Sequence, residues 1–160
     1  MRAMPDLPEP LKDLKLAQVA IVVHDIAGAK KRWAAALGVE EPNEIVTSPG
    51  NEVNMTFAGE PSNAQCKLAF FDVGGVQLEL IEPMGGKSTW QDVLDRKGEG
   101  MHHIAFWVEN MAETSRQLKE HGVQPIQRGD MGEGQYGYFD AEEKLGCVIE
   151  LLESKRSGDI

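Results

Sequence analysis

Apolar positions change their period along the chain, and the changes mark out its elements. From Leu16 to Val23 they alternate, with Gln18, Ala20 and Val22 on one face and Val19, Ile21 and Val23 on the other, which predicts a strand. Asp25 then stands as an N-cap before Ile26 to Leu37, where Ile26, Ala29, Trp33 and Leu37 fall at helical spacing and Gly38 follows as the stop. Short strands are expected near Ile45 to Thr47, Val53 to Phe57 and Lys67 to Val73, separated by turn clusters at Ser48 to Asn51 and Gly59 to Asn63. Val76 to Pro83 is an apolar strand interrupted by Glu79, and Ser88 caps a short helix from Thr89 to Lys97. A second alternating run follows, with His103, Ala105 and Trp107 on one face and Ile104, Phe106 and Val108 on the other. Asn110 caps a helix from Met111 to His121 that Gly122 ends, and strands are expected over Gln124 to Arg128, Gln135 to Asp140 and Gly146 to Glu153.

The order strand, helix, several strands thus occurs twice, and the residues repeat with it. Gln18 to Asp25 can be laid on His103 to Asn110, each followed by a helix and then Gly-Val, at Gly38-Val39 and Gly122-Val123. Gly75 to Glu82 lies likewise on Gly146 to Glu153, so Gln18 matches His103 and Glu79 matches Glu150. Four donors at equivalent strand positions, facing inward if the repeats pack face to face, make a coherent site for one divalent metal. Mixed imidazole, carboxylate and amide donors suit Zn, Ni, Co, Mn or ferrous Fe. A cation would also offset the cost of burying two carboxylates together. The same alternation turns His102 away from the face of His103, as a packing or substrate-edge residue. Glu82, Glu153 and His24 read as strand-end or turn surface residues, and His121 as a helix-end residue favoured by the dipole.

Composition narrows the function classes. With 160 residues and 41% hydrophobic content the chain can bury a sizeable core, and a formal net charge of -10 with no basic run argues against nucleic-acid or anionic-membrane partners. Cys66 and Cys147 are the two cysteines, each expected in a strand and reduced, as in a cytoplasmic protein. Met1 to Lys15 carries Pro5, Pro8 and Pro10 among charges and has neither the apolar core of a signal peptide nor the length of a membrane span. The expected division is a flexible extension over 1–15, one domain over 16–153 and a loose tail over 154–160. Within the domain, modules of about 16–83 and 102–153 flank a helical linker over 84–101.

Leu68-Ala-Phe-Phe71, Glu79-Leu-Ile-Glu-Pro83 and Gly98-Glu-Gly-Met-His-His-Ile-Ala-Phe106 resemble segments of the vicinal oxygen chelate (glyoxalase/bleomycin resistance/dioxygenase) superfamily, most of all methylmalonyl-CoA epimerases. The resemblance runs from about Leu16 to Glu153. It implies an α+β fold of two βαβββ modules forming a cupped, incomplete barrel around one metal, usually in a homodimer. It implies ligands at Gln18, Glu79, His103 and Glu150, the positions the repeat nominates. Epimerases commonly carry His at the first of these; Gln, Glu, His, Glu instead resembles zinc-type glyoxalase I.

Both activities remove a proton next to a carbonyl, so the base separates them. Epimerases place a glutamate just before the strand equivalent to Lys67 to Phe71, where an ungapped alignment puts Asn63; Glu60 lies close by, and otherwise the role falls to Glu150 first or to Glu79. The arginines with which glyoxalase I holds glutathione correspond to Val22 and Glu99, whereas Lys87, Arg96 and Lys97 could meet the phosphates of a CoA-like handle. The expectation is therefore a metal-dependent epimerase or isomerase acting on a small substrate such as an acyl-CoA or other thioester. The alternatives are a glyoxalase I-like lyase and a non-catalytic ligand-binding protein of the drug-resistance type; ring-cleaving dioxygenases, which use two histidines and one carboxylate, fit less well.

Overall fold

The computed structural model describes residues 14–160, so the extension expected over 1–15 falls almost wholly outside the described residues. The strands are β1 (Lys15–Val22), β2 (Ile45–Val46), β3 (Thr56–Phe57), β4 (Glu60–Pro61), β5 (Cys66–Val73), β6 (Val76–Pro83), β7 (Gly100–Trp107), β8 (Gln124–Met131), β9 (Gly134–Asp140) and β10 (Val148–Glu153). The helices are α1 (Ile26–Leu37), α2 (Thr89–Lys97), α3 (Met111–Glu120) and the short α4 (Glu142–Leu145). Local chemistry sets the helix ends as the pattern predicts: Asp25 Oδ1 accepts from Gly28 N at 3.1 Å, and Gly38 leaves the first helix with φ 68°. The short strand β4 and helix α4 have no clear periodicity in sequence, because two and four residues are too few to show one.

All ten strands join one sheet in the order β2-β5-β6-β1-β7-β10-β9-β8-β3-β4. Its middle carries the repeat. β1 runs parallel to β6, β7 runs parallel to β10, and β1 and β7 pair antiparallel between them. The two halves are thereby related by an approximate twofold operation, and the sheet is an unclosed α+β cup.

Each half covers its convex face with one helix. Ile26, Ala29 and Ala34 of α1 pack on Ala69, Phe71 and Leu80, while Met111 and Leu118 of α3 pack on Phe139 and Leu151. A carboxylate at the end of a strand fastens each of these helices. Glu82 Oε2 accepts from Ile26 N at 3.1 Å, and Glu153 Oε2 accepts from Met111 N at 2.7 Å, each satisfying a free N–H of the first helical turn. The surface role expected for these two residues is therefore wrong, and for Glu153 strongly so: it is fully buried, and its other oxygen accepts from Gln135 Nε2 and Ser157 N. Glu153→Ala leaves those donors unpaired in the interior, so it is expected to destabilise the protein by roughly 2–4 kcal/mol in urea unfolding. A change within 0.5 kcal/mol would sink this account of the helix cap.

Glu153 also ties down the tail, which is not loose as expected. Ser157 Oγ accepts from Ala112 N, Gly158 O accepts from Gln135, and Ile160 packs against the cluster under α3.

The stretch between β2 and β5 leaves its own half of the sheet. After β2 has paired with β5, the chain crosses to the far edge, where β3 pairs with β8. It thereby sets Met55 and Ala64 into the cluster that fills the concave side, with Ala20, Val22, Cys66, Ile81, Trp90, Val93, Leu94, Tyr138 and Val148. Arg128 Nη1 donates to Asn54 O, and Asn54 Nδ2 donates to Asp130 Oδ2 at 2.7 Å, which clamps the crossing chain onto β8. Trp90, Val93 and Leu94 show that α2 plugs the same end of the cup. The opposite end is rimmed by Gln18, Gln77 and Trp107, the last 48% exposed. Cys66 and Cys147 are both free and buried; Cys147 lies in the bend before β10 rather than in a strand. No helix among the described residues is long and apolar enough to cross a membrane.

Candidate metal centre

Strand register brings the inward positions of the two halves together. Ala20 on β1 lies between Glu79 on β6 and His103 on β7, and Glu150 on β10 lies beside Ala105, the next inward residue after His103. Ala20 and Ala105 are both fully buried, and their small side chains leave room in the middle for the longer ones to converge. His103 Nε2 is 3.2 Å from Glu79 Oε2 and 2.9 Å from Glu150 Oε2. Relative exposures of 5%, 0% and 5% for Glu79, His103 and Glu150 leave the cluster almost wholly buried.

These atoms are close without being aligned as hydrogen bonds. Glu79 Oε2, His103 Nε2 and Glu150 Oε2 are buried and lack a hydrogen-bond partner, and the three ligand atoms lie within 4.8 Å of one another. Buried polar atoms are rarely left in this state, because each forfeits its hydration. Two carboxylate oxygens and an imidazole nitrogen aimed at one point are a donor set suited to a divalent cation, so the residues present fit a metal.

Without a cation the surroundings favour a proton on His103. Burial pulls the His103 imidazolium down, but the charges of Glu150 and Glu79 and their contacts with the ring outweigh it and raise the pKa to about 9. Burial pushes the Glu150 carboxyl up, opposed by His103 and by the Tyr138 hydroxyl. Burial also raises Tyr138, whose hydroxyl accepts from Trp90 Nε1 at 3.0 Å.

Gln18 stands on the same face of β1 as Ala20, beside Ala105, at the open end of the cluster. Its amide Nε2 donates to Gln77 Oε1 at 2.9 Å, so three of the four expected ligands converge and the fourth is bound to a neighbour at the rim. Gln77 did not figure among the expected site residues, although alternation places it on the face of Glu79. Glu60 is exposed on β4, at the edge of the sheet, and the structure does not bring it into the buried cluster. Asn63 is exposed too, and its Oδ1 accepts from Asn51 N. Arg96 and Lys97 both ion-pair with Glu142, at 2.6 and 2.8 Å, while Lys87 is exposed.

His102 is the main departure from the expected geometry. Ala20 pairs with His103 but Ile21 pairs with Met101, so His102 is the extra residue of a β-bulge. The bulge breaks the alternation and turns His102 to the concave side, where it is 1% exposed and its Nδ1 lies 2.8 Å from His103 Nδ1. Tyr138 packs against both imidazoles, with ring centroids 5.2 and 5.1 Å away. Tyr138 could have been found from the period of β9, which puts it on the inward face of that strand. The contact of Thr89 Oγ1 with His102 Nε2, at 3.1 Å, had no such signal, since it depends on how α2 docks.

Residues 17–139 match the model of the Glyoxalase/Bleomycin resistance protein/Dioxygenase superfamily, and the chain belongs to that family. It is 27% identical to the ethylmalonyl-CoA/methylmalonyl-CoA epimerase of Cereibacter sphaeroides over 86% of this chain and 96% of that protein. It is 38% identical to the uncharacterized protein YqjC of Bacillus subtilis, over 55% of this chain and 65% of that protein. A variant of the Streptomyces coelicolor methylmalonyl-CoA epimerase, in complex with 2-nitronate-propionyl-CoA, superposes with a TM-score of 0.61 at 23% identity, covering 87% of this chain and 96% of that one. The likeness to that solved structure establishes the shared fold.

Proposed function

We propose that the protein is a metal-dependent epimerase or isomerase that removes and returns a proton on the carbon next to the carbonyl of an acyl-CoA thioester. The observation that carries this reading is the convergence of the buried, unpartnered oxygens of Glu79 and Glu150 on His103 Nε2. The thioester comes from the relatives: one is named for ethylmalonyl-CoA and methylmalonyl-CoA, and the other holds a propionyl-CoA derivative.

Glu79, His103 and Glu150 would hold the divalent ion, with Gln18 completing the set through its amide oxygen while its Nε2 donates to Gln77 Oε1. When bound, such an ion supplies Lewis-acid stabilisation of negative charge on a substrate oxygen. The remaining work belongs to the side chains. Glu150 is the proposed base, because burial raises its carboxyl toward the range in which a carboxylate both accepts and returns a proton, with Glu79 next in rank. Tyr138 and His102 cover the cluster from inside the cup, so the substrate carbonyl would enter past Gln18, Gln77 and Trp107. Desolvation there strengthens each charge interaction.

Metal-loaded protein incubated with a 2-substituted acyl-CoA in deuterium oxide is expected to incorporate deuterium at the α-carbon and to interconvert the two epimers. Absence of exchange with a panel of 2-substituted acyl-CoA esters would refute the reading. The set Gln18, Glu79, His103 and Glu150 also favours a second reading, a glyoxalase I-like lyase. Turnover of methylglyoxal hemithioacetals without α-exchange of acyl-CoA would select it.

A further inference from the structure

The His102 bulge places a second imidazole directly behind the first. His103 directs Nε2 at Glu79 and Glu150, and its Nδ1 meets His102 Nδ1 at 2.8 Å. On the far side of the second ring, His102 Nε2 lies 3.1 Å from Thr89 Oγ1. Thr89 is itself held, its backbone N–H donating to the buried Gln127 Oε1 at 2.8 Å. Thr89 occupies the first position of α2 because Ser88 caps that helix, accepting from Gln91 N at 3.1 Å.

Only one proton fits between the two Nδ1 atoms, and this fixes the direction of the whole chain of contacts. For His103 Nε2 to offer a lone pair to a cation, the ring must carry its proton on Nδ1 and donate it to His102. His102 Nδ1 must then be an acceptor, which places its own proton on Nε2, pointing at Thr89 Oγ1. The opposite tautomer of His102 would donate toward His103 and force the His103 proton onto Nε2, where the cation would sit. Ligating histidines usually find this support from a carboxylate, a carbonyl or water. Here a neutral imidazole provides it, which adds no further negative charge to a cluster that already holds two carboxylates.

We propose that His102, seated by Thr89, is a positioning residue that holds His103 in the Nδ1–H tautomer with Nε2 free for the metal. This inference rests on the reading of Glu79, His103 and Glu150 as metal ligands. The β-bulge is the device that makes it possible, since regular alternation would send the His102 ring to the convex face.

The test compares the wild-type protein with His102→Phe, which keeps the ring and removes the acceptor, and His102→Asn, whose Oδ1 sits where Nδ1 does. Cobalt and zinc affinities are measured by chelator competition, and histidine tautomers by nitrogen-15 NMR of the zinc-loaded protein. Expected are a roughly 10–100-fold loss of affinity in the Phe variant and recovery to within about threefold of wild type in the Asn variant. Thr89→Val, a near-isosteric change that spares the core if the Phe variant fails to fold, is expected to weaken binding several-fold, and the zinc-loaded wild type is expected to show His102 as the Nε2–H tautomer and His103 as the Nδ1–H tautomer. Wild-type affinity in the Phe variant, no rescue by Asn, unchanged affinity in Thr89→Val, or an Nδ1–H tautomer of His102 in the zinc-loaded wild type overturns the proposal. Wild-type protein that binds neither metal would remove the ligand reading itself, and the inference with it.

Discussion

His103→Ala is expected to purify without metal and to bind added zinc or cobalt more than 100-fold more weakly than the wild type. The ligand it removes stands between two buried carboxylates, so the loss exceeds the 10–100-fold typical of removing a partner behind a ligand. The variant has a second consequence that separates this site from a surface histidine. Glu79 and Glu150 remain, 5% exposed each, with neither an imidazolium nor a cation between them. Removing one partner from a buried charged group costs about 3–5 kcal/mol. For a chain of this size each kcal/mol shifts the midpoint by about 2–4 °C, so the metal-free variant should melt roughly 6–20 °C below the metal-free wild type. Elemental analysis and calorimetry check the two parts. Undiminished metal content would refute the site, and an unchanged melting temperature would refute the burial argument.

The second large effect is a pH dependence that the metal abolishes. In the metal-free protein the His103 pKa is raised from 6.5 to about 9. A group whose folded pKa lies above its unfolded value binds more protons in the folded state, so stability falls as pH rises between the two values. The contribution is fully present below pH 6.5 and is lost as pH climbs through 9. Acting alone, the shift corresponds to roughly 3 kcal/mol. Metal binding displaces the same proton, so apparent affinity should rise up to about tenfold per pH unit until pH 9. Thermal unfolding from pH 6 to 10 with a chelator should therefore decline steeply, and the metal-loaded series should stay flat over that span. At metal concentrations about 100 times the dissociation constant the loaded protein gains about 2.7 kcal/mol. A flat chelator series would show that His103 carries no proton for the carboxylates to hold.

Much of the fold was legible in local chemistry. The three longer helices begin within a residue of their caps at Asp25, Ser88 and Asn110, and both halves of the repeat lie in the sheet as their residues suggest. Glu79, His103 and Glu150 could be named together because residues two apart on a strand share a face, and equivalent residues in two repeats share a position. The same rule misplaced His102. A bulge is a property of strand pairing, and no feature of Gly100 to Val108 taken alone requires the extra residue to fall there. Glu82 and Glu153 looked like surface carboxylates for a related reason: the helix N-termini they satisfy lie more than forty residues away in sequence.

The sequence by itself determined the longer elements, the repeat and the three side chains that converge at the proposed metal site, because all of these follow from periodicity and residue type. Only the tertiary structure decided that the chain between β2 and β5 crosses to β8 and packs over the concave side, that Gln18 binds Gln77 at the rim, and that His102 supports His103 from behind. The physical reason is the same for each. They are long-range pairings whose register is set by packing the two halves against each other, and a single residue of register decides which side of the sheet a side chain occupies.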